Sequence, residues 1–156
     1  MIPLKIAVHF QADGDLLRNV DLSVSNAFSC SFEGTSSSLK KTLSDWIEAY
    51  LAAKPMKLEI DRIFPVSWQN PFQQKIAEGL LSIPFGSTLS YSELARKIGA
   101  PKAARAAGNA CGRNPIPLLV PCHRIIQQNG KLGGFTAGLE IKKQLLLFER
   151  QHNGIF

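Results

Sequence analysis

Residues 90–113 read SYSELARKIGAPKAARAAGNACGR. Ser90 with Glu93 three residues on has the capping-box form, in which the serine hydroxyl takes a backbone N–H and the glutamate reaches back. The helix opened there is expected to end at Gly99, a residue suited to the left-handed C′ conformation. Pro101 then starts a second helix, since proline at a first helical position forfeits no hydrogen bond. That helix is expected to run to about Gly112. Two short helices joined this tightly predict a helix-turn-helix.

Upstream, Asn70-Pro71 is a further helix start, and Phe72, Ile76, Leu80 and Ile83 mark its apolar face. Pro84 and Gly86 close it. Earlier still, "PLKIAVHF", "NVDLSVS" and "AFSCSF" alternate as short strands, expected to be antiparallel, with turns such as "QADGD" between them. Leu39, Leu43, Trp46, Ile47, Tyr50 and Leu51 recur at helical spacing behind the serines at 36–38, which offer a cap. "AAKPMKLEIDRIFPVSW", interrupted by Pro55 and Pro65, reads as a connector. Downstream, a last helix is expected from about Leu139 to Gln151. The predicted class is α/β. An N-terminal antiparallel sheet with a helix, residues 1–65, packs on a mostly helical part, residues 66–156, that holds the helix-turn-helix.

The chain has 156 residues, 45% hydrophobic and 19% charged, as in globular proteins. No secretory signal is evident at the N-terminus, and no apolar run approaches the ~18 residues of a membrane span. Three cysteines without close pairing argue against a disulfide framework and for a reducing, cytoplasmic compartment (nuclear in a eukaryote). No C-x-x-C pair is present and the three histidines are scattered, so no zinc site is expected.

Charge is uneven along the chain. From Leu94 to Leu139 there is no acidic residue, but there are seven basic ones: Arg96, Lys97, Lys102, Arg105, Arg113, Arg124 and Lys131. Such a block fits a surface facing a polyanion; on charge alone a solvated basic face fits equally. The second helix of the pair carries mostly methyl groups. A helix so thin suits the minor groove, ~6 Å wide against ~12 Å for the major. Close packing of its alanines on the neighbouring helix explains the same residues.

Chemistry concentrates in Pro115–Ile126, "PIPLLVPCHRII". Three prolines hold the approach extended. Cys122 is followed by His123 and Arg124, and nearby cations stabilise a thiolate, so a modestly lowered thiol pKa is expected. In an extended chain adjacent side chains diverge, so His123 needs a water or a bend to reach the sulfur. Cys-His adjacency alone is weak evidence. Glu149 strengthens it, because it falls on the inward stripe of the last helix, where a carboxylate must be paired. An imidazole partner gives a nucleophile–base–orienter relay; a lysine partner or a solvent-seeking carboxylate fits the spacing as well.

Taken together, "PFQQKI", "IPFGSTLSYSELARKIGAPKAARAAGNA", "NPIPLLVPCHRII", "GGFTAG" and "KKQLLLFE" resemble the DNA repair alkyltransferases, the methylated-DNA–protein-cysteine methyltransferases, over roughly residues 71–150. The resemblance implies that Cys122 accepts an alkyl group from O6-alkylguanine after the base is flipped from the duplex, with O4-alkylthymine left open as a further substrate. It implies that His123 acts as base through a bridging water and that Glu149 holds it. Tyr91 would donate toward N3 of guanine. Asn114 would support the turn. Arg105 would fill the gap left by the flipped base, the Ile125 carbonyl and the Thr136 backbone N–H would face the guanine edge, and Phe135 would form a wall of the pocket. Lys102 and Arg113 would join Arg105 on the duplex. No cofactor is implied, so each molecule would act once, as a monomer on double-stranded DNA and away from membranes. Phe135 stands where several members carry tyrosine, which bears on substrate range. Cys111 lies in the proposed DNA-facing helix, where a second alkylation site and a plain small residue are both readings. Residues 1–65 fit the variable N-terminal domain common in the family. Two other classes compete: a lesion-binding module without transfer, whose relatives lack the cysteine, and a helix-turn-helix regulator, which calls for long base-reading side chains that "AARAAGNA" supplies sparingly.

Overall fold

Leu4, Ile6, Val8 and Phe10 are buried on one face while Ala7 and His9 between them are only partly covered, the period-two pattern of a half-buried strand. The computed structural model describes residues 3–54, 56–63 and 70–153. Strands β1 (Ile6–Gly14) and β2 (Leu16–Val24) form an antiparallel hairpin. Strand β3 (Ser29–Thr35) lies on the other edge of β1 and runs parallel to it, giving the order β2-β1-β3. The expectation of an antiparallel sheet is thus corrected to a mixed one. Residues 25–28 do not turn back along β2; they pass the start of β1, where Ser25 N–H donates to the Lys5 carbonyl at 3.0 Å. The chain therefore re-enters the sheet in the direction of β1. Alternation within a strand reports its buried face and leaves its partner open.

Helix α1 (Ser37–Leu51) follows, capped by Ser36, whose hydroxyl oxygen accepts from Leu39 N–H at 3.0 Å. Its buried stripe is Leu39, Leu43, Trp46, Ile47 and Tyr50, as the spacing predicts. The connector carries a one-turn helix, α2 (Ile60–Ile63). The predicted division at residue 65, with Pro55 and Pro65, lies outside the described residues.

Helix α3 (Pro71–Leu81) starts at the predicted Asn70 cap. Two-residue strands β4 (Leu89–Ser90) and β5 (Ile125–Ile126) pair in parallel, tying the head of helix α4 (Tyr91–Lys97) to the segment just after Cys122. The capping box at Ser90 and Glu93 is complete. Helix α5 (Ala104–Gly112) begins three residues later than Pro101 suggests. Residues 101–103 form a turn instead, with Ala103 N–H donating to the Ala100 carbonyl at 2.9 Å. Helix α6 (Leu139–His152) closes the described chain.

One hydrophobic cluster runs from Phe10 and Leu43 through Leu80 to Ile116, Leu145 and Phe148. Polar ties reinforce it: Val20 N–H donates to the Pro115 carbonyl at 2.8 Å, and Lys5 N–H to Gln144 Oε1 at 3.0 Å. The segment that leads into Cys122 is therefore braced from the sheet. Among the described residues no helix is long and apolar enough to cross a membrane.

Candidate active site

The approach to Cys122 is a buried loop stapled by one side chain. Asn114 Nδ2 donates to the Val120 carbonyl at 2.8 Å and to Cys122 Sγ at 3.1 Å, while its Oδ1 accepts from Ile116 N–H at 3.0 Å. Ile116, Leu118, Leu119 and Val120 are driven into the core around it. Leu118 has φ of 75°, a left-handed conformation costly for a branched residue and held by the surrounding packing. The chain then tightens into a 3-10 turn over Cys122–Arg124, not the extended segment that the prolines suggest. Cys122 N–H donates to Val120 and Arg124 N–H to Pro121, so the turn satisfies its own backbone.

That turn sends the three side chains to different places. The sulfur of Cys122 is buried and faces Asn114. His123, fully buried, meets Glu149, with Nε2 2.6 Å from Oε1. Arg124 grips the same carboxylate with two bonds, Nε to Oε2 at 2.8 Å and Nη2 to Oε1 at 3.0 Å, and donates Nη1 to the Ile83 carbonyl at 2.8 Å. Glu149 also accepts from Tyr50 O–H at 2.8 Å and from Gly86 N–H at 3.1 Å. Burial alone would raise the Glu149 pKa. His123 and Arg124 outweigh it and hold the carboxyl well below its ordinary range. An ionised Glu149 only accepts, so the proton of the His123 pair sits on Nε2. Burial also lowers the His123 pKa despite the carboxylate, so the ring is neutral near pH 7. Its Nδ1 is then an acceptor, and it is the one buried side-chain polar atom among the described residues left without a partner.

The lowered thiol pKa expected for Cys122 is corrected. Burial pushes the thiol up to about 11; the Asn114 hydrogen bond and the charge of Lys142 pull it down without offsetting this. The two neighbouring cations do not act on the sulfur as the sequence suggests, since Arg124 is neutralised by Glu149 and His123 is uncharged.

Above the sulfur lies a cavity of about 320 Å³ lined by Tyr91, Gly108, Cys111, Gly112, Cys122, Gly134, Phe135 and Thr136. Small residues dominate the wall, leaving room for a flat ring. Gly133 has φ of 70°, and a Cβ there would come within 3.0 Å of the Tyr91 hydroxyl. Burial, followed by the Cys111 and Cys122 sulfurs, raises the Tyr91 pKa, so this phenol is a proton donor at neutral pH. Thr136 Oγ1–H donates to the Gly112 carbonyl at 2.8 Å and ties the glycine-rich loop to the end of α5.

Of the residues singled out in the sequence, Cys122, Tyr91, Phe135 and Thr136 thus share one cavity, Asn114 touches the sulfur, and His123 and Glu149 pair with each other in the core. Ile125 is buried and its carbonyl is engaged by Lys142. Lys102, Arg105 and Arg113 are exposed, at the start and end of the α5 segment, outside the cavity lining. Arg124 leaves the basic surface block, being buried against Glu149. Two contributors escape the sequence reading. Lys142 is fully buried, with Nζ donating to the Ile125 carbonyl at 2.5 Å and to the Gly134 carbonyl at 3.2 Å. Its position seven residues before Glu149, on the same inward stripe, is the signal that marks it. Tyr50 carries no local signal beyond its place on the apolar face of α1.

Residues 71–151 match the family described as "6-O-methylguanine DNA methyltransferase, DNA binding domain". The methylated-DNA–protein-cysteine methyltransferase of Mycolicibacterium paratuberculosis is 52% identical over 82 residues, 53% of this chain and 50% of that protein. That of Methanosarcina acetivorans is 45% identical over 103 residues, 66% of this chain and 64% of that protein. These matches thus span about half to two thirds of the curated relatives' length. In three dimensions the chain is similar to Mycobacterium tuberculosis OGT in complex with DNA, with a TM-score of 0.71 and 33% identity over 93% of this chain and 94% of that one. A cavity-lining cysteine, followed in the chain by a histidine paired with a carboxylate, stands within the matched residues 71–151. The chain belongs to the 6-O-methylguanine DNA methyltransferase family.

Proposed function

We propose that this protein repairs DNA by transferring the alkyl group of O6-alkylguanine to its own Cys122, once per molecule. The observation that carries the reading is the partnerless Nδ1 of the neutral His123, next in the chain to a protonated, buried thiol. With the thiol raised to about 11, the nucleophile is made during the reaction and not stored as a thiolate. His123 takes the Cys122 proton at Nδ1, through one water, and Glu149 stabilises the resulting imidazolium. The sulfur bonds to the alkyl carbon as the carbon–O6 bond breaks. The electron pair passes to guanine, and Tyr91 offers its phenolic proton at N3. The product thioether has no leaving route in this site, so the protein is consumed.

Exposed Lys102, Arg105 and Arg113 suit phosphates and the gap left by an extruded base, and the thin α5 suits the minor groove. In this reading Phe135 and Thr136 border the flipped guanine, and Ile125, buried outside the cavity lining with its carbonyl held by Lys142, supports the wall from behind. O4-alkylthymine is a second candidate substrate. The part over residues 66–156 carries the chemistry and residues 1–65 support it, in a monomer working in the cytoplasm. Transfer from a duplex containing one O6-methylguanine should vanish in Cys122→Ala while lesion binding persists. Undiminished transfer in that variant would overturn the reading.

A further inference from the structure

Glu149 is held from two ends of the chain. Arg124, His123 and Gly86 reach it from the part that carries Cys122, and Tyr50 reaches it from α1, 99 residues earlier in the sequence. The Tyr50 ring is fixed by stacking on Trp46, centroids 5.3 Å apart, and on Phe148 at 5.6 Å, with Phe85 edge-on at 5.5 Å. Its hydroxyl therefore has one target, and the target is Oε1, the oxygen that also faces His123. We propose that Tyr50 is a positioning residue of the transfer site: it completes the donor shell of Glu149 and, by drawing on the oxygen that holds His123, keeps that imidazole neutral and ready to accept a proton. The proposal rests on the alkyl-transfer reading and gives the early strand-and-helix part of the chain a direct role in it.

The physical reason is competition for one oxygen. Each hydrogen bond donated to Oε1 disperses its negative charge and weakens its pull on the His123 proton. Burial keeps the Tyr50 phenol protonated, so it remains a donor. The groups acting on His123 are Glu149 and Lys142 from α6 and Arg124 from the 3-10 turn; Tyr50 from α1 acts through Glu149. Without the Tyr50 hydroxyl, Arg124 and Gly86 still hold the carboxylate in place. What changes is its strength as an acceptor, and His123 becomes easier to protonate.

Tyr50→Phe keeps the ring stack and removes only the hydroxyl. In the full chain, the acidic limb of the single-turnover rate against pH should move up by about one pH unit, the shift of a ~1.4 kcal/mol difference in hydrogen bonding between the two states of His123. Affinity for the lesion duplex should not change. The ring Nε2–H proton resonance of His123 in the DNA-free protein should move to lower field. Val8→Ala, a core truncation in the sheet and outside the Tyr50 ring stack, should lower Tm and leave the limb in place. A Tyr50→Phe profile superimposable on the wild type, or a limb moved equally by Val8→Ala, would overturn the proposal. Should the unaltered protein transfer no alkyl group, the functional reading fails by itself. The resonance, which needs no substrate, then decides the Tyr50 relation: movement upholds its hold on His123 and a fixed signal refutes it.

Discussion

Asn114 donates a hydrogen bond to the sulfur of Cys122 at 3.1 Å while its other contacts pin both ends of the loop between them. One amide thus shapes the segment and supplies a donor to the reacting atom. In the resting protein that donor is too weak to make a thiolate, because burial dominates. A protonated, buried sulfur is shielded from stray electrophiles.

Titration of thiolate ultraviolet absorbance should therefore show Cys122 ionising only near pH 11, after subtraction of a Cys122→Ser control. A midpoint below the ordinary thiol value of about 8.5 would mean that charges not seen in this site activate the sulfur.

Glu149→Gln should damage both stability and chemistry. It removes the counter-charge of a buried Arg124, and breaking a buried ion pair on one side costs about 3–5 kcal/mol. Urea denaturation measures the first effect. Single-turnover transfer at a temperature where the variant remains folded measures the second, and the rate should fall because the imidazolium loses its partner.

Acid should destabilise the fold through the same pair. His123 has a lowered folded pKa, so below the unfolded value of 6.5 the unfolded chain binds the extra proton and stability declines as pH falls. Glu149, also lowered, adds its loss as pH drops below 4.5. Both terms have one sign, so urea midpoints should decrease steadily from neutral pH through both values. A His123→Gln variant should show a flatter slope in the upper part of that window.

Gly133→Ala should slow transfer far more than it weakens duplex binding. The new methyl would meet the Tyr91 hydroxyl at 3.0 Å, and a left-handed φ of 70° costs an alanine about 1–2 kcal/mol. Comparing rate at saturating duplex with affinity separates the two effects. Equal losses in both would place Tyr91 in binding only.

The helix starts at Ser36, Asn70 and Ser90 were legible because a cap is a local event, written within four residues. The direction of strand β3 is not local in the same way: its parallel pairing depends on where residues 25–28 carry the chain. Cys122, His123 and Glu149 were legible as a set through motif and stripe. The sulfur's protonation was not, since Arg124 looks like an activator in sequence and is spent on Glu149 in space. Tyr50 lies 99 residues from its partner, and no local pattern encodes a contact of that reach.

The central claim is transfer to Cys122. Its most direct test is intact mass measurement after mixing the protein with excess duplex that contains a single O6-methylguanine, followed by digestion to map any adduct. The expected result is a gain of one methyl group per molecule, located on Cys122. An unchanged mass despite tight, lesion-selective binding, or a methyl group on Cys111 with Cys122 untouched, would contradict it.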